Sequence, residues 1–105
     1  PNNLLTQRSK GASWFMTGYN VKYSKQAVKD LKKLDKYTQR MLLVWIEKNL
    51  IGCENPRAFG KGLTANRAGQ WRYRIGDYRI ICDIQDEELV ILALTIGHRR
   101  EIYEN

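Results

Sequence analysis

Hydrophobic and polar positions change period as the chain is followed from its start. From Tyr19 to Tyr23 they alternate as Tyr-Asn-Val-Lys-Tyr, the period of a strand with one face buried. Ala27, Val28, Leu31 and Leu34 then recur at the spacing of one helix face, with Lys25, Lys29, Lys32 and Lys33 on the flanks and Ser24 where an N-cap belongs. A second helix carries Met41, Leu42, Trp45, Ile46 and Leu50 on its apolar side; Asp35 or Thr38 can cap its start, and Gly52 can stop it. The spacing predicts a helical hairpin.

Asn55-Pro56 and the glycines at 60, 62 and 69 mark an irregular stretch, after which Gln70 to Ile75 and Tyr78 to Ile84 read as strands around a Gly76-Asp77 turn. Leu89 to Ile96 is almost uninterruptedly apolar, which predicts a strand covered on both faces and central in the sheet. The predicted fold class is α+β: an N-terminal strand, the helical hairpin, then a three-stranded antiparallel meander, all in one curved sheet. At 105 residues the chain suits a single domain, expected over residues 16–105. Residues 1–15 lack periodicity and Met16 stands just before the first regular segment, so they are expected to form a disordered extension.

A two-residue turn also fixes which residues face each other. With Gly76-Asp77 at the turn, Ile75 opposes Tyr78, Arg74 opposes Arg79, Tyr73 opposes Ile80, Arg72 opposes Ile81 and Trp71 opposes Cys82. Trp71, Tyr73, Ile75, Tyr78, Ile80 and Cys82 then share the core face, leaving Arg72, Arg74, Arg79 and Ile81 on the other. Directly opposed like charges destabilise a sheet, so folding alone would not select this arrangement. A bound polyanion would remove the repulsion, and the planar fork of arginine suits phosphate oxygens. In the bland alternative the arginines fan into water or pair with Asp83 or Glu101.

Charge supports the polyanion. Eighteen lysines and arginines against eleven acids give a formal net charge of +7. Between Arg57 and Arg79 lie Arg57, Lys61, Arg67, Arg72, Arg74 and Arg79 with Asp77 as the one acid, followed by an acidic cluster at Asp83, Asp86, Glu87 and Glu88. The lysines of the first helix read better as solvation than as RNA contacts. Hydrophobic content of 43% and charged content of 28% are those of a globular chain. No apolar run approaches the roughly 18 residues that span a bilayer, so a cytoplasmic protein without membrane contact is expected. Cys53 and Cys82 show no metal-ligand spacing and read as reduced packing residues. No grouping of Asp, Glu and His at ligand spacing calls for a metal, and no cofactor is expected.

The sequence closes with Gly97-His98-Arg99-Arg100-Glu101-Ile102-Tyr103. His98, the sole histidine, is the side chain whose ordinary pKa lies nearest working pH. Asn55-Pro56-Arg57, Trp71-Arg72-Tyr73-Arg74, Gly76-Asp77-Tyr78-Arg79-Ile80-Ile81, and Gly97-His98-Arg99 followed by Tyr103 together resemble, in order and spacing, the RelE family of bacterial toxins. These are the messenger-RNA interferases of type II toxin-antitoxin systems, and the match runs from about Met16 to Tyr103.

The resemblance implies a microbial-RNase-like fold and cleavage of ribosome-bound mRNA in the A site, against 16S rRNA. It also implies a cognate acidic antitoxin, with operator DNA reached only through that complex. Carried over residue by residue, the family's catalytic positions fall on Arg72, Arg74, Arg79, Arg99 and Tyr103, with His98 matching a histidine of some members. Arg57, Lys61, Arg67 and Arg100 are the accompanying RNA-binding candidates. Some relatives carry lysines at the positions of Arg72 and Arg74, and arginine is a poor proton acceptor, so the general base stays open between His98 and Tyr103. The rival readings are a ParE-like DNA gyrase inhibitor, which shares the fold, and a non-catalytic RNA- or ribosome-binding module.

Overall fold

Ser24 ends the first strand and starts the first helix. Its backbone N–H donates to the Ala93 carbonyl at 2.9 Å, while its hydroxyl accepts from the Ala27 N–H at 3.0 Å as an N-cap. Strand β1 (Asn20–Tyr23) thus passes without a loop into helix α1 (Lys25–Lys32). Asp35 caps helix α2 (Lys36–Asn49), accepting from both the backbone and the hydroxyl of Thr38, and those bonds hold its carboxyl below the usual range. The computed structural model describes residues 18–100. The expected extension at residues 1–15 lies outside them.

The strands that follow are β2 (Lys61–Gly62), β3 (Trp71–Ile75), β4 (Tyr78–Gln85) and β5 (Val90–His98), in the sheet order β1-β5-β4-β3-β2. β1 runs parallel to β5 and the other pairs are antiparallel; the helical hairpin leads from β1 at one edge of the sheet to β2 at the other. The α+β class and the meander are as expected. Three details differ. β2 occupies the stretch read as irregular, because two residues carry no period to recognise. β4 is the middle strand, and β5 lies between β1 and β4. β5 also runs on through His98, past a bulge between its Ala93 and Thr95 partners.

The helices cover one face of the sheet. Leu42 and Ile46 of α2, Leu50 at its C-cap and Ala27 of α1 pack on Tyr73, Ile75, Ile80, Cys82, Ile91, Ala93 and Ile96. Leu42, Ile46 and Leu50 are at most 1% exposed, and each such burial contributes about 1.5–3 kcal/mol. Cys82 is buried in this core and Cys53 at its margin; both are free thiols, and burial pushes both up from their ordinary pKa.

The loop after α2 is tied to β3. The buried Tyr73 hydroxyl donates to the Pro56 carbonyl, and the Trp71 indole N–H donates to Phe59 O at 2.7 Å. Gly60, at φ +85°, lies so close to β3 that a Cβ there would stand 2.3 Å from the Arg72 carbonyl, so no other residue fits without moving the loop.

Candidate nucleic-acid interface

The β3–β4 hairpin has the register expected from its turn: Arg74 pairs with Arg79, Arg72 with Ile81, and Trp71 with Cys82. Gly76 takes φ +59° at the first turn position and Asp77 does not take a positive φ, the pattern of a type II′ turn. Opposed residues share a face, so the pairings can be read across the sheet. One row on the face away from the helices is Lys61, Arg72, Ile81 and Thr95; the next is Arg74, Arg79 and Gly97. Arg74 and Lys61 are exposed, and Arg72 and Arg79 are half-buried. Gly97 presents no side chain beside Arg79.

Arg99 joins the same face. Its N–H donates to Asp77 O at 2.8 Å, which continues the β4–β5 ladder and sets Arg99 in step with Gly97. Its side chain is 56% exposed, with Nε 3.9 Å from an Asp77 carboxylate oxygen, a long and solvent-open ion pair. The structure therefore brings Lys61, Arg72, Arg74, Arg79 and Arg99 onto one face of the sheet.

It does not bring the other candidates there. His98 pairs with Tyr78 on the opposite side, their rings edge to face at 5.5 Å, and its Nδ1 accepts from the Arg100 N–H at 3.1 Å. A neutral His98 ring so engaged carries its proton on Nε2. Arg57 sits at the far end of the hairpin, over the Trp71 ring at 6.0 Å, with both terminal nitrogens 3.0 Å from the Asp86 carboxylate. Asp86 also accepts from the Tyr19 hydroxyl at 2.6 Å; the Arg57 fork and this hydroxyl hold its carboxyl down at about 2. Arg67 bonds the Gln70 side chain at 3.0 Å in the turn before β3, and Arg100 is exposed beyond β5. Tyr103 lies outside the described residues.

Two participants were not foreseen. Asp86 belongs to the acidic cluster seen in the sequence, but nothing there names Arg57 as its partner. Thr95 stands in the Lys61–Arg72–Ile81 row, its hydroxyl buried without a hydrogen bond among the described residues, and no motif marks it. Among the described residues no three His, Cys, Asp or Glu side chains converge as metal ligands, and no helix is long and apolar enough to cross a membrane.

Comparison with known proteins bears on what such a face belongs to. Residues 21–103 match the model of a family described as the ParE toxin of the type II toxin-antitoxin system, parDE. Toxin RelG of Mycobacterium tuberculosis is 31% identical over 85 residues, covering 81% of this chain and 95% of that relative. A putative RelE-like toxin protein of Escherichia coli is 28% identical over 82 residues, 77% of this chain and 83% of the relative. Among solved structures, a chain of the toxin-antitoxin complex RelBE2 from Mycobacterium tuberculosis superposes with a TM-score of 0.72 at 29% identity, covering 82% of this chain and 97% of that one. A chain of the archaeal RelE-RelB complex from Pyrococcus horikoshii superposes at 0.59 and 29% identity, covering 82% of this chain and 100% of that one. These matches meet on one class, the small toxins of type II toxin-antitoxin systems. The chain belongs to the RelE/ParE family of these toxins.

Proposed function

We propose that this toxin is a metal-independent endoribonuclease that cleaves ribosome-bound mRNA in the A site and is held in check in the cytoplasm by a cognate acidic antitoxin. The observation that carries this reading is the Arg74–Arg79 pair, two cations opposed across a hairpin with Lys61, Arg72 and Arg99 on the same face. Such a face gains from an anion lying across it.

The reaction is attack of the RNA 2′-hydroxyl on the adjacent phosphorus, with departure of the 5′-oxygen, which leaves a 2′,3′-cyclic phosphate or its 3′-phosphate product. Arg72, Arg74, Arg79 and Arg99 stabilise the negative charge of the pentacoordinate phosphate. Lys61, in the same row as Arg72, extends the path of the RNA backbone. Tyr103 gives its proton to the departing 5′-oxygen and the 2′-hydroxyl proton passes to solvent water, while His98, packed on Tyr78, holds the strand end that carries Arg99. With weak proton transfer, substrate alignment by the ribosome and its 16S rRNA supplies several kcal/mol of the catalysis. The antitoxin is inferred from the relatives solved as RelB–RelE complexes, and operator DNA is reached through that complex.

The test is to give purified toxin the same message free and on translating ribosomes and to sequence the RNA ends. Cuts confined to the ribosomal sample, with 5′-hydroxyl ends, support the reading; equal cutting of both, or none, refutes it. Because the matching family model is named for ParE, a gyrase supercoiling assay is run in parallel. Inhibition of gyrase with no RNA cleavage would place the toxin in the gyrase-inhibitor class instead. Binding to ribosomes without cutting would leave a non-catalytic module.

A further inference from the structure

The arginine face depends on a bulge in β5. Successive strand residues point to opposite faces. Ile91 and Ala93 face the core, so unbroken alternation would send Thr95 and Gly97 to the core and His98 to the arginine side. The observed pairing is otherwise: Cys82 pairs with Ala93 and Ile81 with Thr95, so Leu94 is an extra residue in β5. Beyond it Ile96 and His98 share the core side, while Thr95, Gly97 and Arg99 share the arginine side. The apolar run through Leu92, Leu94 and Ile96 offers residues for either register, so hydrophobicity specifies the choice only weakly.

What holds the bulge comes from the opposite side of the sheet. β1 ends at Tyr23, opposite Ala93, so past that point β5 has no strand neighbour on its β1 side. α1 takes over that edge. The Ser24 hydroxyl donates to Leu94 O at 2.9 Å, and the Asp30 carboxylate accepts the Ile96 N–H at 2.9 Å. The second carboxylate oxygen of Asp30 is held by the Gln26 amide at 2.8 Å, one helical turn away. Asp30 therefore supplies a charge-assisted acceptor to the first core-facing residue after the bulge.

We propose that Asp30 is a positioning residue: by holding the Ile96 N–H it fixes the bulge at Leu94, and so it decides that Arg99, not His98, joins the arginine face. It touches no substrate. Its consequence for catalysis rests on the nuclease reading; its consequence for the strand does not.

The experiment compares Asp30→Ala and Asp30→Asn, each with and without deletion of Leu94. Deleting the extra residue yields the same facing by plain alternation, so it makes Asp30 dispensable. In Asp30→Ala the Ile96 amide loses its exchange protection and the Tyr78–His98 ring contact disappears from nuclear Overhauser spectra. Cleavage on programmed ribosomes then falls about 100-fold in kcat, as for a misplaced charge, with KM nearly unchanged. Asp30→Asn keeps an acceptor and retains most activity, and deletion of Leu94 restores both the ring contact and kcat to Asp30→Ala. A purely structural Asp30 would lose stability without these recoveries.

Retention of the ring contact and of Ile96 protection in Asp30→Ala would overturn the proposal, as would failure of the deletion to restore them. If Asp30→Ala alone does not fold, the double variant decides: folded with the Tyr78–His98 contact supports the proposal, unfolded refutes it. If the wild type cuts no RNA, the nuclease reading fails while the spectroscopic arm still decides the role of Asp30.

Discussion

The two ends of the β3–β4 hairpin treat arginine in opposite ways. At the end away from the turn, Arg57 meets Asp86 through both terminal nitrogens, lies over Trp71 and shares its carboxylate with Tyr19. Its charge is matched, and the match joins the loop after α2, the start of β1 and the turn after β4. Toward the turn, the cross-strand neighbour of Arg74 is Arg79, and Arg72 lies between Lys61 and Ile81. Like charges so opposed cost stability, a cost that the proposed reading offsets with a bound anion. The Arg57–Asp86 pair ties separate segments of the fold together; on the proposed reading, the cations of the other end share one face because the RNA lies across it.

The largest effect that could break this contrast is on Arg74, which is exposed. Arg74→Ala is expected to lower RNA cleavage about 100- to 1,000-fold, the cost of removing one charge-stabilising donor. Its urea denaturation midpoint should hold or rise, because relief of the Arg74–Arg79 repulsion contributes up to about 1 kcal/mol. Cleavage assays on translated message and urea melts on the same preparation measure both. Marked destabilisation with full activity per folded molecule would make this arginine structural and erase the contrast.

Much of this face was legible in the sequence, and the reasons are local. A two-residue turn sets register and strand alternation sets the face, so the placement of Arg72, Arg74 and Arg79 needed nothing from the rest of the chain. Ser24 and Asp35 were legible as caps for the same reason. What was not legible depends on distance or on missing contrast. Arg57 and Asp86 are 29 positions apart, and proximity along the chain does not say which side of the sheet Arg57 occupies. The bulge falls in a run from Leu89 to Ile96 too uniformly apolar for a skipped residue to leave a mark. The sequence therefore sets His98 beside the arginines, whereas its register in the sheet sets it against Tyr78. The parallel pairing of β1 with β5 joins the first and last strands of the described chain, which no short segment encodes.

The matched end can be sharpened through Tyr73, whose hydroxyl anchors the loop carrying Arg57 by donating to Pro56 O. Tyr73→Phe keeps the ring in the core beside Trp45 and removes only that donor, leaving a buried carbonyl unsatisfied. A loss of about 1–3 kcal/mol is expected in urea melts. Cleavage per folded molecule should be nearly unchanged. A large catalytic loss without destabilisation would mean that the loop, and the matched charge it carries, belongs to the reactive face after all.

The smallest expected effect concerns acid. The Asp86 carboxyl is held at about 2, below its ordinary value of 3.8, so the folded state favours its ionised form. A group depressed in this way contributes stability above its ordinary value and loses that contribution as the pH falls through its folded one. The wild type should therefore melt at a higher temperature than Asp86→Asn at pH 7, and the difference should shrink between pH 4 and pH 2 and vanish below that. Because the pair is solvent-accessible, added salt should narrow the gap at neutral pH. Thermal melts across that range measure the slope. A gap that persists unchanged below pH 2 would mean that Asp86 acts through packing and not through its charge. Arg57 would then no longer be the matched cation against which the arginine face is set.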